Sequence, residues 1–507
     1  MRANELAEFA TEKYVEKDEE SAYEAEEGLS ELEVCAQYCR ACTVSVQRLF
    51  HVRSLGHVCM QAMIEGNEAF PLDLIEELAQ DDDSEVRQIL AEQLGTLAEA
   101  IKKTRGQHEE DVATGLLCVA FLLVEDDIEQ VVTAAEAAVA TVASLLDPAS
   151  EGQEVLLTQM ANLITGEEEE IRVSGAKIGG TLAAVLGPGG AKENLVPLLK
   201  ALTQDESFRV REVAVHAVVL VAEVMEDTEA EQSVLPFFFS LLRDPVWAVR
   251  KACADELVTL AKCVSREVFV ELATAIFEPL ANDVSFQVRV ASLEKLGPLI
   301  AELGNEHTSA ALVDYFVGMA ETSGGGTSGG GGLQLTCAFN IPGVAYTIGR
   351  KRWHELKGAY RLLASSMQWR VRRTLAFSLH EMAKILGQET AEIDLLPIFE
   401  EMLSDTDEVS IGVVSNLASF MSELSPAARL PHLHLLPEIG ALDGDDVIGN
   451  WRLRAALSEQ LSALSRILPT SANEEMILPL LLRLLKDPAS AVRLKSIEAV
   501  GVVLQNT

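Results

Sequence analysis

Cys35, Cys39 and Cys42 stand in CAQYCRAC, the C-x3-C-x2-C spacing of radical-SAM iron–sulfur sites. That chemistry needs three thiolates converging from a loop onto one cluster. Here positions i, i+4 and i+7 define one face of a helix, and Val34, Val46 and Leu49 continue the apolar pattern. No alternating strands follow to build a barrel around a cofactor, so the cysteines read as buried helix-face thiols. His354-Glu355 and His380-Glu381 suggest a zinc-protease motif, which needs a second His four residues after the first. Gly358 and Lys384 occupy those places. DGDD at 443–446 starts like a calcium loop, but the sixth position is Ile448 where the loop needs Gly, and the twelfth is Arg454 where it needs Glu. The glycine run near 321–332 lacks the Gly-Lys-Ser/Thr that would hold phosphate. No Ser or Cys nucleophile has a plausible base. The expectation is a non-enzyme without cofactor, metal or catalytic residues.

The elements that hold these residues are repeats. In DPVWAVRKACADELVTLAK (244–262), Asp244 sits where an N-cap belongs and Pro245 where a first helical residue belongs. Val249, Cys253, Leu257, Leu260 and Ala261 then recur at helical spacing. Arg172, Arg211, Arg250 and Arg289 follow one another at 39-residue steps, as do Arg454 and Arg493, and Arg87 and Arg372 occupy the same slot. Asp205, Asp244, Asp283 and Asp487 each precede an Arg by six residues. Pro197, Pro236 and Pro479 each precede one by 14. The unit is a helix A containing Pro, a short turn, and a helix B opening with an acidic residue and Val-Arg. A two-helix unit near 40 residues is the HEAT type. The expected fold is all-α: a HEAT-repeat α-solenoid, a right-handed α–α superhelix of about eleven repeats. An Asp at each turn and an Arg in the next helix would form a ladder between neighbouring units.

The 507 residues carry a net charge of −39 and are 48% hydrophobic. Such a chain folds, and it repels nucleic acid and anionic lipid. Apolar runs such as GLLCVAFLLV are too short to span a bilayer, and the N-terminus lacks an apolar signal core. Eight cysteines on apolar faces fit a reducing compartment. The expected location is cytoplasmic, with a nuclear pool.

Four regions are expected. Residues 1–30 form an acidic disordered leader, 31–320 an N-terminal repeat block, 321–334 a Gly/Ser-rich flexible linker, and 335–507 a C-terminal repeat block. ALVDYFVGM and LTCAFNIPGVAYTIG flank the linker as two helices of one interrupted unit.

Three residues before the Arg stand Phe208, Trp247, Phe286, Trp369 and Trp451. On helix B each lies about 200° around from the core Val. Two fates follow: packing against neighbouring turns, or an apolar ridge for a partner. Arg250 and Arg372 lie one turn after Trp247 and Trp369, where each pair can share a helix face. These seven residues are the candidate partner-binding set.

IPGVAYTIGRKRWHELKGAYRLLASSMQWRVRRTLAFSLHEMAKILG (341–387), DLLPIFEEMLSDTDEV and NWRLRAALSEQL, with FFFSLLRDPVWAVRKACADEL upstream, resemble the protein phosphatase 4 regulatory subunit 1 family of 2A-type phosphatase scaffolds. The resemblance implies an α-solenoid regulatory subunit that binds a metal-dependent serine/threonine phosphatase catalytic subunit and positions phosphoprotein substrates. Metals and chemistry would belong to that partner, which would dock on the turn ridge. The sequence departs from the family in three ways. A short Gly-Ser run replaces a long acidic, Ser-rich insert, Ser410 replaces an Arg, and the chain stops earlier than the family pattern. The alternative is a nuclear transport receptor-like HEAT solenoid or another interaction scaffold. A tubulin-binding array fits poorly, because tubulin is acidic too.

Overall fold

A computed structural model describes residues 29–42, 45–65, 69–103, 109–148, 150–322, 330–436 and 450–507. Every regular element among them is helical. The leader up to residue 28, residues 323–329 of the expected linker, and the DGDD stretch lie outside the described residues.

The chain divides into two compact units at Ser265 and Arg266. In the first, A and B helices alternate: α1 (Glu31–Ala41) and α2 (Ser45–Glu65), α3 (Leu72–Ala79) and α4 (Ser84–Lys102), α5 (Glu109–Val124) and α6 (Glu129–Ala143), α7 (Glu151–Ile164) and α8 (Glu169–Gly190). Then α9 (Val196–Leu202) pairs with α10 (Phe208–Val224). A broken A helix, α11 (Asp227–Ser233) with α12 (Leu235–Leu241), pairs with α13 (Trp247–Leu260). The second unit begins with α14 (Arg266–Ala281) and a B helix broken into α15 (Phe286–Glu294) and α16 (Leu296–His307). It continues with α17 (Ala310–Glu321) and α18 (Gly330–Ile348), α19 (Trp353–Ala364) and α20 (Trp369–Leu386), and α21 (Leu396–Leu403) with the broken α22 (Asp407–Ser415) and α23 (Leu417–Ser422). Short turns around Pro426–Arg429 precede α24 (Trp451–Ile467), and α25 (Leu478–Leu484) pairs with α26 (Ser490–Gln505).

Within each unit, successive B helices pack on one another and on their own A helices. The core is therefore a continuous apolar seam. In α4, for example, Val86, Leu90, Leu94 and Leu97 are wholly buried. Truncating one such Leu to Ala costs about 2–5 kcal/mol.

Proline sets the shape of the A helices. Pro197, Pro397 and Pro479 each stand just after a widened π turn, at Ala191–Leu195, Ala391–Leu395 and Asn473–Ile477. Pro offers no N–H to the carbonyl four residues back, so the turn before it re-registers. Glycine sets the corners that lead from a B helix to the next A helix. Gly187, Gly304, Gly349 and Gly387 all have φ between 66° and 82°, a region that a Cβ disfavours.

Two expectations need correction. The B helix starts at the aromatic, not at Pro245: α13 begins at Trp247 with Val246 as N-cap, and Asp244 and Pro245 form the turn. Asp244 accepts the Val246 N–H two residues on, at 2.8 Å, so it closes an Asx turn instead of capping the helix. The Gly/Ser run, expected as a block-dividing linker over 321–334, has helical flanks. Residues 330–334 belong to α18, and Glu321 belongs to α17. The Gln334 amide donates to the Ala320 carbonyl at 2.9 Å, and Cys337 reaches the Phe316 carbonyl. Buried apolar side chains on both sides (Leu312, Phe316, Cys337, Ile341) let this pair close inside the second unit.

Candidate partner-binding surface

The charged ladder comes first, because it decides which Arg side chains a partner can reach. Asp81, Asp126, Asp205, Asp244 and Asp487 each accept an N–H two residues on, Asp405 accepts that of Thr406, and each of the six also receives the guanidinium of the preceding repeat. Arg172 holds Asp205 at 2.7 and 3.1 Å, and Arg211 holds Asp244 at 2.6 and 3.1 Å. Arg87 holds Asp126, Arg372 holds Asp405 and Arg454 holds Asp487 in the same two-pronged way. Arg48 pairs with Asp81 one 39-residue step before Arg87, a rung that the sequence reading missed. The remaining guanidinium nitrogen donates to the carbonyl six residues back in its own turn, as from Arg372 to Ser366 and from Arg211 to Asp205.

At two places the ladder lacks both members of a rung. Val132 replaces Arg, and the next turn holds Gly166 at the Asp slot. Ser410 replaces Arg, and the next slot holds Ile448. A half-buried charge without its partner would be destabilising, which fits the joint loss at these two rungs; Arg289 instead donates to the Asp283 and Val284 carbonyls of its own turn and lies over Phe286. Ser410 is itself buried, and its hydroxyl lies within hydrogen-bond reach of the Met402, Leu403 and Asp405 carbonyls. It ties its own turn as the Arg does elsewhere.

The pairing shifts proton affinities. The Arg372 guanidinium holds the Asp405 carboxyl below its usual range, against an opposing effect of burial. Arg87 does the same to Asp126.

Phe208, Trp247, Phe286 and Trp369 each sit at the first position of a B helix, 41–45% exposed; Trp451 is half-buried. The structure does not bring Trp369 and Arg372 together as expected. Arg372 is turned into the ladder, and the cation over the Trp369 ring is Arg370, at 5.6 Å. Arg452 covers Trp451 in the same way, while Arg289 lies over Phe286. Arg250 likewise donates to its own turn, at the Asp244 and Pro245 carbonyls. A bidentate pair plus a carbonyl outweighs one exposed ring contact.

Two residues missed in the sequence complete the ridge in the second unit. Val284 and Met367, each two residues before a turn aromatic, are 95% and 100% exposed. Their signal was available: an apolar side chain at a turn tip, flanked by Asp283 and Ser285 or by Ser366 and Gln368, has no core to serve. The Cys motif is dispersed along α1. Cys35 and Cys39 are buried in the helix face, and Cys42 caps its end with its own N–H on the Tyr38 carbonyl. Among the described residues, no group of three or more His, Cys, Asp or Glu could hold a metal ion. None of the described helices is long and apolar enough to cross a membrane.

Three family patterns match the chain: the protein phosphatase 4 regulatory subunit 1 middle domain over residues 337–439, the PIK3R4-like middle domain over 69–280, and the HEAT repeat over 477–507. Serine/threonine-protein phosphatase 4 regulatory subunit 1 of Homo sapiens is 40% identical over 195 residues, which are 38% of this chain and 20% of that protein; the Mus musculus protein matches equally. The chain thus spans about a fifth of the length of the curated relatives it matches. Among solved structures, Kap95p in a study of RanGDP switch loops aligns with a TM-score of 0.68 at 14% identity, covering 94% of this chain and 61% of that one. Importin beta aligns with a TM-score of 0.59 at 13% identity, covering 93% and 67%. Those two likenesses establish the solenoid fold alone. This HEAT-repeat chain is similar to protein phosphatase 4 regulatory subunit 1, whose middle-domain pattern it carries at residues 337–439.

Proposed function

We propose that the chain is a non-catalytic regulatory and scaffold subunit of a protein phosphatase 4-type complex, docking the catalytic subunit and positioning phosphoprotein substrates along its repeats. The 40% identity to the phosphatase 4 regulatory subunits carries this reading. The dock is the ridge of turns in the second unit, where Val284 and Met367 stand fully in solvent beside the Arg-backed rings of Phe286 and Trp369. Large exposed aromatics backed by Arg are the residue types that dominate interface energies, at about 2 kcal/mol or more each.

The test is a pull-down of purified chain with the recombinant catalytic subunit of the phosphatase 4 type, alongside Ran as the competing partner of a transport-receptor reading. Stoichiometric retention of the phosphatase supports the proposal. Retention of Ran without the phosphatase overturns it.

A further inference from the structure

Helix α18 is apolar on its exposed side as well as its buried one. Cys337, Ala338, Ile341 and Val344 fill the core, while Leu335, Phe339 and Tyr346 face solvent, the last two 76% and 77% exposed. With Gly343 they form a stripe at i, i+4, i+8 and i+11, about 17 Å long. Gly343 leaves open space above the backbone. The stripe borders a groove of about 520 Å³ shared with α20, walled by Phe339 and Gly343 on one side and by Arg373 and Phe377 on the other. An apolar ridge of this size beside a groove is the surface of a recognition site, not of a solvated helix.

The stretch that runs through α19 into α20 inverts the charge of the chain, and the charged residues lining the groove itself are Arg373 and Glu381. Residues 350–384 contain nine Lys or Arg and two Asp or Glu, in a protein of net charge −39. Arg352 and Arg372 are committed to Glu355 and Asp405, and Lys357 and Arg361 share Asp394. Arg370 and Lys384 are exposed and make no ion pair among the described residues. Arg373 lies 4.9 Å over the Phe377 ring and meets Glu408 only at 3.6 Å, both side chains half-exposed. On α20, Arg370, Arg373, Phe377, Glu381 and Lys384 share one face, so cations bracket the groove with one acidic residue between them.

We infer that this groove binds an acidic amphipathic helix of a partner protein, its apolar side chains on the Leu335–Tyr346 stripe and its carboxylates on Arg370 and Arg373. The stripe has the length and spacing of a three-turn helix, and the flanking charge selects an acidic one. Screening over about 8 Å at physiological salt lets a short peptide sense the local cations and not the distant negative surface. A nucleic acid would extend beyond the patch into that surface and be repelled. The site does not rest on the phosphatase reading, although its Arg370 end adjoins Trp369 of the turn ridge.

The test is fluorescence anisotropy of the full chain with a labelled synthetic helix of about 16 residues, carrying Leu or Phe at i, i+4, i+7 and i+11 and Glu elsewhere, at about 0.15 M salt. Saturable binding is expected, at least about tenfold weaker for an analogue with Lys in place of Glu and for one with Ser in place of the apolar residues. Two variants, Arg370→Glu with Arg373→Glu, and Phe339→Ser with Tyr346→Ser, should each lose about tenfold or more while keeping helical content. Equal binding of the Lys analogue, unchanged binding by both variants, tighter binding of a labelled oligothymidine, or no binding at all would overturn the inference. The assay contains no phosphatase, so its failure is distinct from failure of the proposed function.

Discussion

Arg454 and Asp487 form a two-pronged ion pair between neighbouring repeats with side chains 1% and 0% exposed, the most deeply buried rung of the ladder. A buried pair adds little over well-packed apolar residues, yet loss of one member leaves a charge stranded. Arg454→Met should therefore cost about 3–5 kcal/mol in urea unfolding followed by Trp fluorescence. Adding Asp487→Asn, which keeps the acceptor for the Ala489 N–H, should restore most of that loss. A double variant no more stable than the single would show that the rung is held by something other than charge.

The matched gaps in the ladder make the converse prediction. Ser410→Arg places a guanidinium in a site that a buried Ser hydroxyl now fills, and Ile448 stands at the Asp position of the following repeat. The variant should lose about 2–4 kcal/mol, through overpacking and an unpaired charge together. Thermal unfolding reads this directly, and an unchanged midpoint would mean that the slot tolerates either residue.

The depressed Asp126 and Asp405 carboxyls set the acid response. An Asp whose affinity for protons is lowered by folding stabilises the protein above its unfolded pKa, near 3.9, and that stability is lost as pH falls through the lower folded value. Stability should be flat at neutral pH and fall progressively below about pH 4. Arg372→Met should flatten the acid limb, because Asp405 then titrates nearly as it does unfolded. An acid limb identical to that of the parent protein would contradict the assigned cause.

Much of this was legible in the sequence. The 39-residue recurrence of Arg, with Asp six residues earlier, specified both the two-helix repeat and the ladder, because a rung needs both residues at fixed places in the repeat. What each Arg would choose was not legible. Trp369 and Arg372 share a helix face, but the carboxylate of the next repeat, 33 residues away, outcompetes the ring, and Arg370 takes the ring instead. The helix start was misplaced because Asp followed by Pro resembles an N-cap and first turn, while the same Asp also closes an Asx turn. Glycine density suggested a break at 321–334, yet the apolar faces flanking it are what fold, and they fold onto each other. Met367 and Val284 were overlooked because the reading followed residues that recur, and these tips do not recur across the turns.

The exposed aromatics separate packing from function. Trp369 is 42% exposed and Met367 100%, so Trp369→Ala with Met367→Ser removes apolar surface of which a large share is in water already. These changes should cost no more than about 2 kcal/mol, short of the about 3–5 kcal/mol of a core Trp truncation. A larger loss in thermal unfolding would place the ring in the inter-repeat core.

The central claim is tested most directly by calorimetric titration of the chain with the recombinant phosphatase 4-type catalytic subunit, comparing the parent protein with Trp369→Ala plus Trp451→Ala. Loss of two interface anchors should weaken binding by about two to three powers of ten while the variant stays folded, with helical content equal to the parent's at the temperature of the titration. No binding by the parent protein would contradict the scaffold reading, and equal binding by parent and variant would remove the turn ridge from it.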